Sequence, residues 1–304
     1  MLDLFSGMGG FSLGFVRNGF SVEGVDHSER VGITYRYLTG ARFTLADLND
    51  VQIEGDYDVV IGGPPCRPWS SVNLSRRGDA HRDYGLVKKF VDHVRDIKPK
   101  IFVLENVPPL GGDDTFLAYM GSLREFGYEI ERQMIRYSDY GAATRRRRMF
   151  IIGVKGRSAS GLISSLSGMR SNPSDVRSVI WNFRKLEKGG KRDHVWPVLK
   201  TVERYAEYYR TGQFGWAILK WNEPAPSFGN VMKTYILHPS SNLSQHRYRP
   251  VSVLEVARIM GFNHGFEFPE EMGMTERYQM LVDSVSPVFS TKLAEVVKEQ
   301  ISEM

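Results

Sequence analysis

The first 154 residues alternate short apolar runs with stretches of helical spacing, and this alternation restricts the fold more than any other feature of the chain. Leu2–Leu4 and residues 22–25, 57–61, 101–104 and 149–154 read as strands. The runs at 57–61 and 101–104 are almost continuously apolar, the pattern of strands buried on both faces. Between the strands, residues 11–16, 29–38, 86–97 and 116–126 carry apolar side chains at helical spacing. Such alternation predicts an α/β fold on a mainly parallel sheet with helices on both sides. Ligands of such sheets gather beyond the carboxyl ends of the strands.

From about Lys155 the pattern degrades. Ser, Gly, Lys and Arg dominate to residue 195, and Trp181, Phe183, Trp196, Tyr205, Tyr208 and Tyr209 are interleaved there and beyond. A second, smaller and less regular domain is expected. Val253–Met260 reads as a helix, and residues 287–301 as a better one. Ser286 can cap it, Pro287 suits its first turn, and Phe289, Leu293, Val296, Val297 and Ile301 share a face. That face needs a sheet to pack on, so the C-terminus is expected to return to the first domain. The expected division is 1–158 with 265–304, and 159–264.

Charge is unevenly spread. The chain carries a net +5, yet residues 155–250 hold 16 Lys/Arg against 6 Asp/Glu, which leaves −5 for the remainder. An acidic body with a basic insert fits a nucleic-acid partner for the insert, or a solvated basic surface. No apolar run approaches the ~18 residues that span a bilayer. No basic segment followed by an apolar one opens the chain, so nothing suggests export. The single cysteine excludes an internal disulfide and a multi-thiol zinc site, and the reducing cytoplasm is the expected compartment.

Six short motifs carry chemistry. In "DLFSGMGGFSLGF", from Asp3 to Phe15, a strand runs through Gly7, Gly9 and Gly10 into a helix; the glycines permit a tight turn and close approach of a ligand to the backbone. "GVDH" ends the next strand at Asp26, where a carboxylate can accept hydrogen bonds from ribose hydroxyls. "LADL" places Asp47 after a third strand, where an adenine amino group could be met. Together these strand ends suggest an adenosine-type cofactor; singly, each acid is also an ordinary loop or cap residue.

"GGPPC" leaves Cys66 in a stiff loop outside any apolar repeat, followed by Arg67. A thiol of ordinary pKa, ~8.5, is only about 3% thiolate at neutral pH, so a nucleophile there needs a cationic neighbour, a helix N-terminus or a bound partner. The placement favours a nucleophile over a packed structural cysteine. "ENV" presents Glu105 at the next strand end, as a proton donor or as a plain loop glutamate. The run Arg145–Arg148 precedes another strand. Alternation sends Arg146 and Arg148 to one side and Arg145 and Arg147 to the other. A guanidinium pair can hold a carbonyl, a phosphate or a carboxylate; the run can also be merely solvated.

"DLFSGMGG", "GGPPC", "ENV", the arginine run and "RYRPVSVLEVARIMGF", in this order, resemble the DNA (cytosine-5)-methyltransferases over residues 1–155 and 247–304. The resemblance implies a Rossmann-like, S-adenosylmethionine-dependent domain and a smaller target-recognition domain at 159–264. It implies that Cys66 adds to C6 of a cytosine flipped out of the duplex, that Glu105 stabilises protonation at N3, and that Arg148 holds the base carbonyl with Arg146 in support. It carries S-adenosyl-L-methionine contacts onto Phe5, Ser6, Gly7, Met8, Gly9, Gly10, Asp26, His27, Asp47, Leu48, Gly63, Pro65, Leu86, Ser284 and Val285. The loop from Arg67 to about Asp83, with Arg76, Arg77, His81 and Arg82, would close over the flipped base. The implied partner is double-stranded DNA, with room for a cognate restriction endonuclease that the chain need not touch, and the implied state is a monomer.

The chain departs from the family pattern at Arg67 and Thr144, each in place of Gln, at Asp283-Ser284 in place of Gly-Asn, and at His27 in place of Trp. None removes a reacting group; cofactor affinity is what they bear on. Two other readings remain. The tRNA-methylating relatives carry a Cys-Phe-Thr signature that is absent here. A silent DNA-binding relative would be expected to lose Cys66 or Glu105, and both are present.

Overall fold

The apolar runs become strands of one sheet in the computed structural model, which describes residues 1–69, 81, 83–198, 202–229, 236–262 and 268–304. The strands are β1 (Leu2–Leu4), β2 (Glu23–Asp26), β3 (Arg42–Leu45), β4 (Val59–Gly62), β5 (Ile101–Asn106), β6 (Tyr128–Arg136) and β7 (Arg147–Lys155). Their order is β3-β2-β1-β4-β5-β7-β6. The first five are mutually parallel. Strand β7 runs antiparallel to both β5 and β6. Every side chain of β1, β4 and β5 is buried, as expected of central strands covered on both faces.

Helices α1 (Gly10–Arg17), α2 (Glu29–Thr39), α3 (Tyr84–Ile97), α4 (Asp114–Gly121) and α5 (Ala159–Gly168) connect or follow these strands. Helix α2 starts where the Ser28 hydroxyl accepts from Val31 N and stops at Gly40, whose φ of 65° suits a residue without a side chain. Helix α4 starts on an Asp113 cap and gives way to a 3-10 turn at Ser122, so the helix expected to 126 ends earlier as an α-helix.

The chain folds as two compact units. The first comprises residues 1–136, 147–170 and 290–304; the second comprises 137–146 and 171–289. Helices α6 (Val176–Ile180), α7 (Ala206–Thr211), α8 (Val253–Met260) and α9 (Met274–Asp283) belong to the second unit, with a small sheet of β8 (Ala217–Ile218) and β9 (Ile236–Leu237). The unit edges fall elsewhere than the expected 158/159 and 264/265. Segment 137–146 leaves β6 and pairs with 225, while α9 lies beside α8, so both join the second unit. Helix α8 carries a full capping box, with Ser252 and Glu255 each bonding the other's backbone N–H. Among the described residues no helix is long and apolar enough to cross a membrane.

Helix α10 (Pro287–Ser302) ends the chain, and its residues from Ser290 onward belong to the first unit. Phe289, Leu293, Val296 and Val297 are buried, as the shared face required. The expected Ser286 cap is not made: its hydroxyl is buried and finds no hydrogen-bond partner among the described residues. In the first unit α10 lies directly on α1. The Ser290 hydroxyl donates to Phe11 O, and Asn18 Nδ2 donates to Thr291 O at 3.0 Å. A Cβ on Gly14 would stand 2.2 Å from the carbonyl carbon of Ser290, so only glycine permits this approach. Gly14→Ala is therefore expected to cost about 2 kcal/mol through overpacking. Denaturant unfolding checks this; an unchanged midpoint would contradict the close contact.

Candidate active site

The sheet order reverses direction between β1 and β4. From β1 the chain proceeds outward to β2 and β3, and from β4 to β5, and the carboxyl ends of such a pair are where ligands of open α/β sheets bind. Strand β1 leaves the sheet through Phe5, a residue with a side chain at φ 58°, then through Gly7 at φ 52° and Gly9 at φ 91°. Such left-handed backbone is strained for Phe5 and natural for glycine. The turn is held from inside: Ser6 N donates to Val25 O at 3.0 Å, Gly9 N to Ser6 O at 3.0 Å, and Gly7 N to Asp26 Oδ2 at 3.1 Å. A Cβ on Gly9 would clash with Thr39 at 2.7 Å and Tyr35 at 2.9 Å, whereas one on Gly7 would meet nothing within 4 Å. Gly9 thus packs inward and Gly7 faces open space.

Asp26 ends β2 beside this turn. Its other oxygen accepts from Ser28 N and stands 3.2 Å from His27 Nδ1. Burial pushes its carboxyl above the ordinary value, and the Gly7 N–H opposes that rise. The Ser6 hydroxyl is buried with no hydrogen-bond partner among the described residues. Met8 and Gly10 are buried as the turn enters α1. Asp47 is exposed beyond β3 and receives Asn49 N at 2.9 Å, while Leu48 is buried. A glycine-lined turn, a carboxylate at the next strand end and a buried unpartnered hydroxyl fit an adenosine-type cofactor.

Strand β4 ends at Gly62, where a Cβ would stand 2.6 Å from Leu4 O. The loop beyond it is clasped by β5: Asn106 Nδ2 donates to Pro64 O at 3.0 Å, and a Cβ on Gly63 would lie 3.2 Å from Glu105 Oε2. Pro65 and Cys66 follow, both half-buried, and Trp69 N closes a 3-10 turn on Cys66 O. Asp113 anchors Trp69, whose indole donates at 2.8 Å, and also Tyr84, whose hydroxyl donates at 3.1 Å. Leu86 is half-buried in the first turn of α3. His81 accepts from Asp83 N at 3.0 Å. Arg76, Arg77 and Arg82 lie outside the described residues.

Glu105 and Arg148 are brought together by strand register. Antiparallel pairing sets Glu105 opposite Phe150, so Arg148, two residues earlier on β7, is its diagonal neighbour on the same face. Arg148 Nε lies 2.9 Å from Glu105 Oε1, with side chains only 13% and 8% exposed. The expected alternation appears in the burial: Arg145 and Arg147 are exposed, Arg146 and Arg148 are not. Arg146 belongs to the second unit, where it is 2% exposed and Nη1 donates to Phe228 O at 3.3 Å. Ser284 and Val285 also belong to that unit, following the end of α9, and Val285 is buried. Cys66, Glu105, Arg148 and the turn from Phe5 to Gly10 all belong to the first unit. Asn106 and Asp113, which clasp the cysteine loop and its flanks, were not singled out in the sequence. An amide or carboxylate whose partners are distant in sequence leaves no local signal.

The model of the family "C-5 cytosine-specific DNA methylase" matches residues 1–299, and the chain belongs to that family. It is 26% identical to the type II methyltransferase M.FnuDI of Fusobacterium nucleatum, over 100% of this chain and 95% of the relative. It is 26% identical to the type II methyltransferase M.NgoPII of Neisseria gonorrhoeae, over 99% and 96%. Among solved structures the S. pombe Dnmt2 methyltransferase superposes with a TM-score of 0.76 at 16% identity, over 99% of this chain and 98% of that one; this likeness concerns the fold. The fold is thus Rossmann-like, the cofactor S-adenosylmethionine and the substrate DNA.

Removing the Arg148 guanidinium would strand a buried carboxylate. Arg148→Met is expected to destabilise the fold by about 3 kcal/mol, and adding Glu105→Gln should recover most of that loss. Denaturant unfolding of the two variants checks the pair; equal stability of both would contradict it.

Proposed function

We propose that this DNA methyltransferase modifies cytosine within a specific duplex sequence, with Cys66 as the nucleophile and the target base turned out of the helix. The observation that carries the reading is the clasp between β5 and the cysteine loop, which sets Glu105 against the backbone three residues before Cys66. Cytosine C5 is too weak a nucleophile to take a methyl group unaided. Addition of the Cys66 thiolate at C6 makes the ring an enamine, so that electron density reaches C5. Glu105 supports protonation at N3 as this happens, and Arg148 holds both the Glu105 carboxylate and the base carbonyl. When bound, S-adenosylmethionine supplies an electrophilic methyl group. Loss of the C5 proton then expels the thiol and restores the ring.

Turning the base out costs a few kcal/mol of pairing and stacking. We assign target recognition to the second unit, which contains most of the basic segment 155–250. There Arg177 and Arg184 lie over the Trp181 ring, 4.4 and 4.0 Å from its centroid, and can offer their edges to phosphates. Arg146 supports the base site, and Asp26, Asp47, Ser284 and Val285 serve the cofactor. The enzyme acts as a monomer, and its likeness to type II methyltransferases supports a cognate endonuclease.

Cys66→Ala should abolish methyl transfer while leaving duplex binding within about twofold; normal turnover would refute the assignment. Wild-type affinity for DNA should fall linearly with salt on a log–log plot, through counterion release. A flat plot would count against the basic segment, and transfer to tRNA alone would overturn the duplex substrate.

A further inference from the structure

Behind the cofactor turn lies a polar group with no part in the chemistry above. Asp3, in the middle of β1, is 1% exposed. Its Oδ2 accepts from the Ser12 hydroxyl on α1 at 2.6 Å, and Ser12 Oγ lies 2.8 Å from the Tyr35 hydroxyl on α2. With its own proton on Asp3, Ser12 accepts from Tyr35. The Tyr35 ring is in turn the surface on which the turn rests: a Cβ on Gly9 would meet it at 2.9 Å, and one on Gly24 at 2.4 Å. One chain of hydrogen bonds therefore links β1, α1 and α2, and through the ring it braces both the glycine turn and the strand that delivers Asp26.

We infer that Asp3 is a positioning residue for the cofactor, bracing the turn through Ser12 and Tyr35 and favouring the cationic cofactor when it is ionised. The inference rests on the assignment of the Phe5–Gly10 turn and Asp26 to S-adenosylmethionine. Burial pushes the Asp3 carboxyl up to about 7; Ser12 opposes the rise and Asp26 adds to it. Tyr35 on α2 also faces Asp3; Glu23 on β2 acts on Tyr35, His27 pairs with Asp26, and the β4 neighbour of Asp3 is Ile61. Tyr35 stays protonated, since burial and then Asp3 raise it far above its ordinary value.

S-adenosylmethionine carries a sulfonium charge that its product, S-adenosylhomocysteine, lacks. A cation stabilises the Asp3 carboxylate, so the bound state holds fewer protons than the empty one near neutrality. By linkage, affinity must then rise with pH through about 7 and level off above it.

The test is calorimetric binding of S-adenosylmethionine and of S-adenosylhomocysteine from pH 6 to 8.5, without DNA, in buffers of different ionisation enthalpy. Wild-type affinity for the sulfonium form should rise about fivefold with proton release, and that for the thioether distinctly less. Asp3→Asn should remove the rise, and Ser12→Ala should move its midpoint to higher pH. A rise that survives Asp3→Asn, or one equal for both ligands, overturns the inference. Asp26→Ala separates the two levels: undiminished binding there would overturn the site assignment and this inference with it.

Discussion

Parallel pairing forces β1, β2, β4 and β5 to deliver their carboxyl ends to one edge of the sheet, and the candidate groups of the first unit hang from that edge. The turn follows β1, Asp26 ends β2, the cysteine loop follows β4, and Glu105 is near the end of β5. Strand β7 is antiparallel and so begins at this same edge, which is why Arg148 meets Glu105. Were β7 parallel, its first residues would lie at the opposite edge and Glu105 would be a buried carboxylate without that cation.

A site built this way must compensate acids removed from water. Three means are visible in the first unit. Glu105 has a guanidinium, Asp26 has the backbone N–H groups of Gly7, Ser28 and His27, and Asp3 has the hydroxyl and backbone N–H of Ser12. At Asp3 burial outweighs what Ser12 returns, and the carboxyl is pushed up to about 7. Backbone strain is present here too: Phe5, a non-glycine residue at positive φ, is held by the hydrogen bonds of Ser6 N and Gly7 N that follow it.

The central strands were legible because burial on both faces demands apolar residues at every position. Edge strand β6 was not: Glu129, Glu131 and Arg132 face outward, and its sequence reads as mixed polar. Helix α9 escaped for a similar reason, since only Tyr278, Leu281 and Val282 of its ten residues are buried. The alternation of the arginine run was readable from period-two geometry, and its burial follows it. The clasp on the cysteine loop was not readable, because Asn106 and Pro64 meet through strand order rather than through sequence neighbourhood. The edges of the compact units differ from the expected division for the same reason: residues 137–146 look like a continuation of the sheet until the pairing of Thr144 with Ala225 is seen.

The most direct measurement is trapping on duplex DNA that carries 5-fluorocytosine at the target position, with cofactor present. Fluorine at C5 cannot leave as a proton does, so a thiol once added stays bonded to C6. Mass spectrometry of the digested complex should find the nucleotide on the peptide containing Cys66. Attachment to any other residue, or no adduct from a preparation that methylates ordinary DNA, would contradict the account.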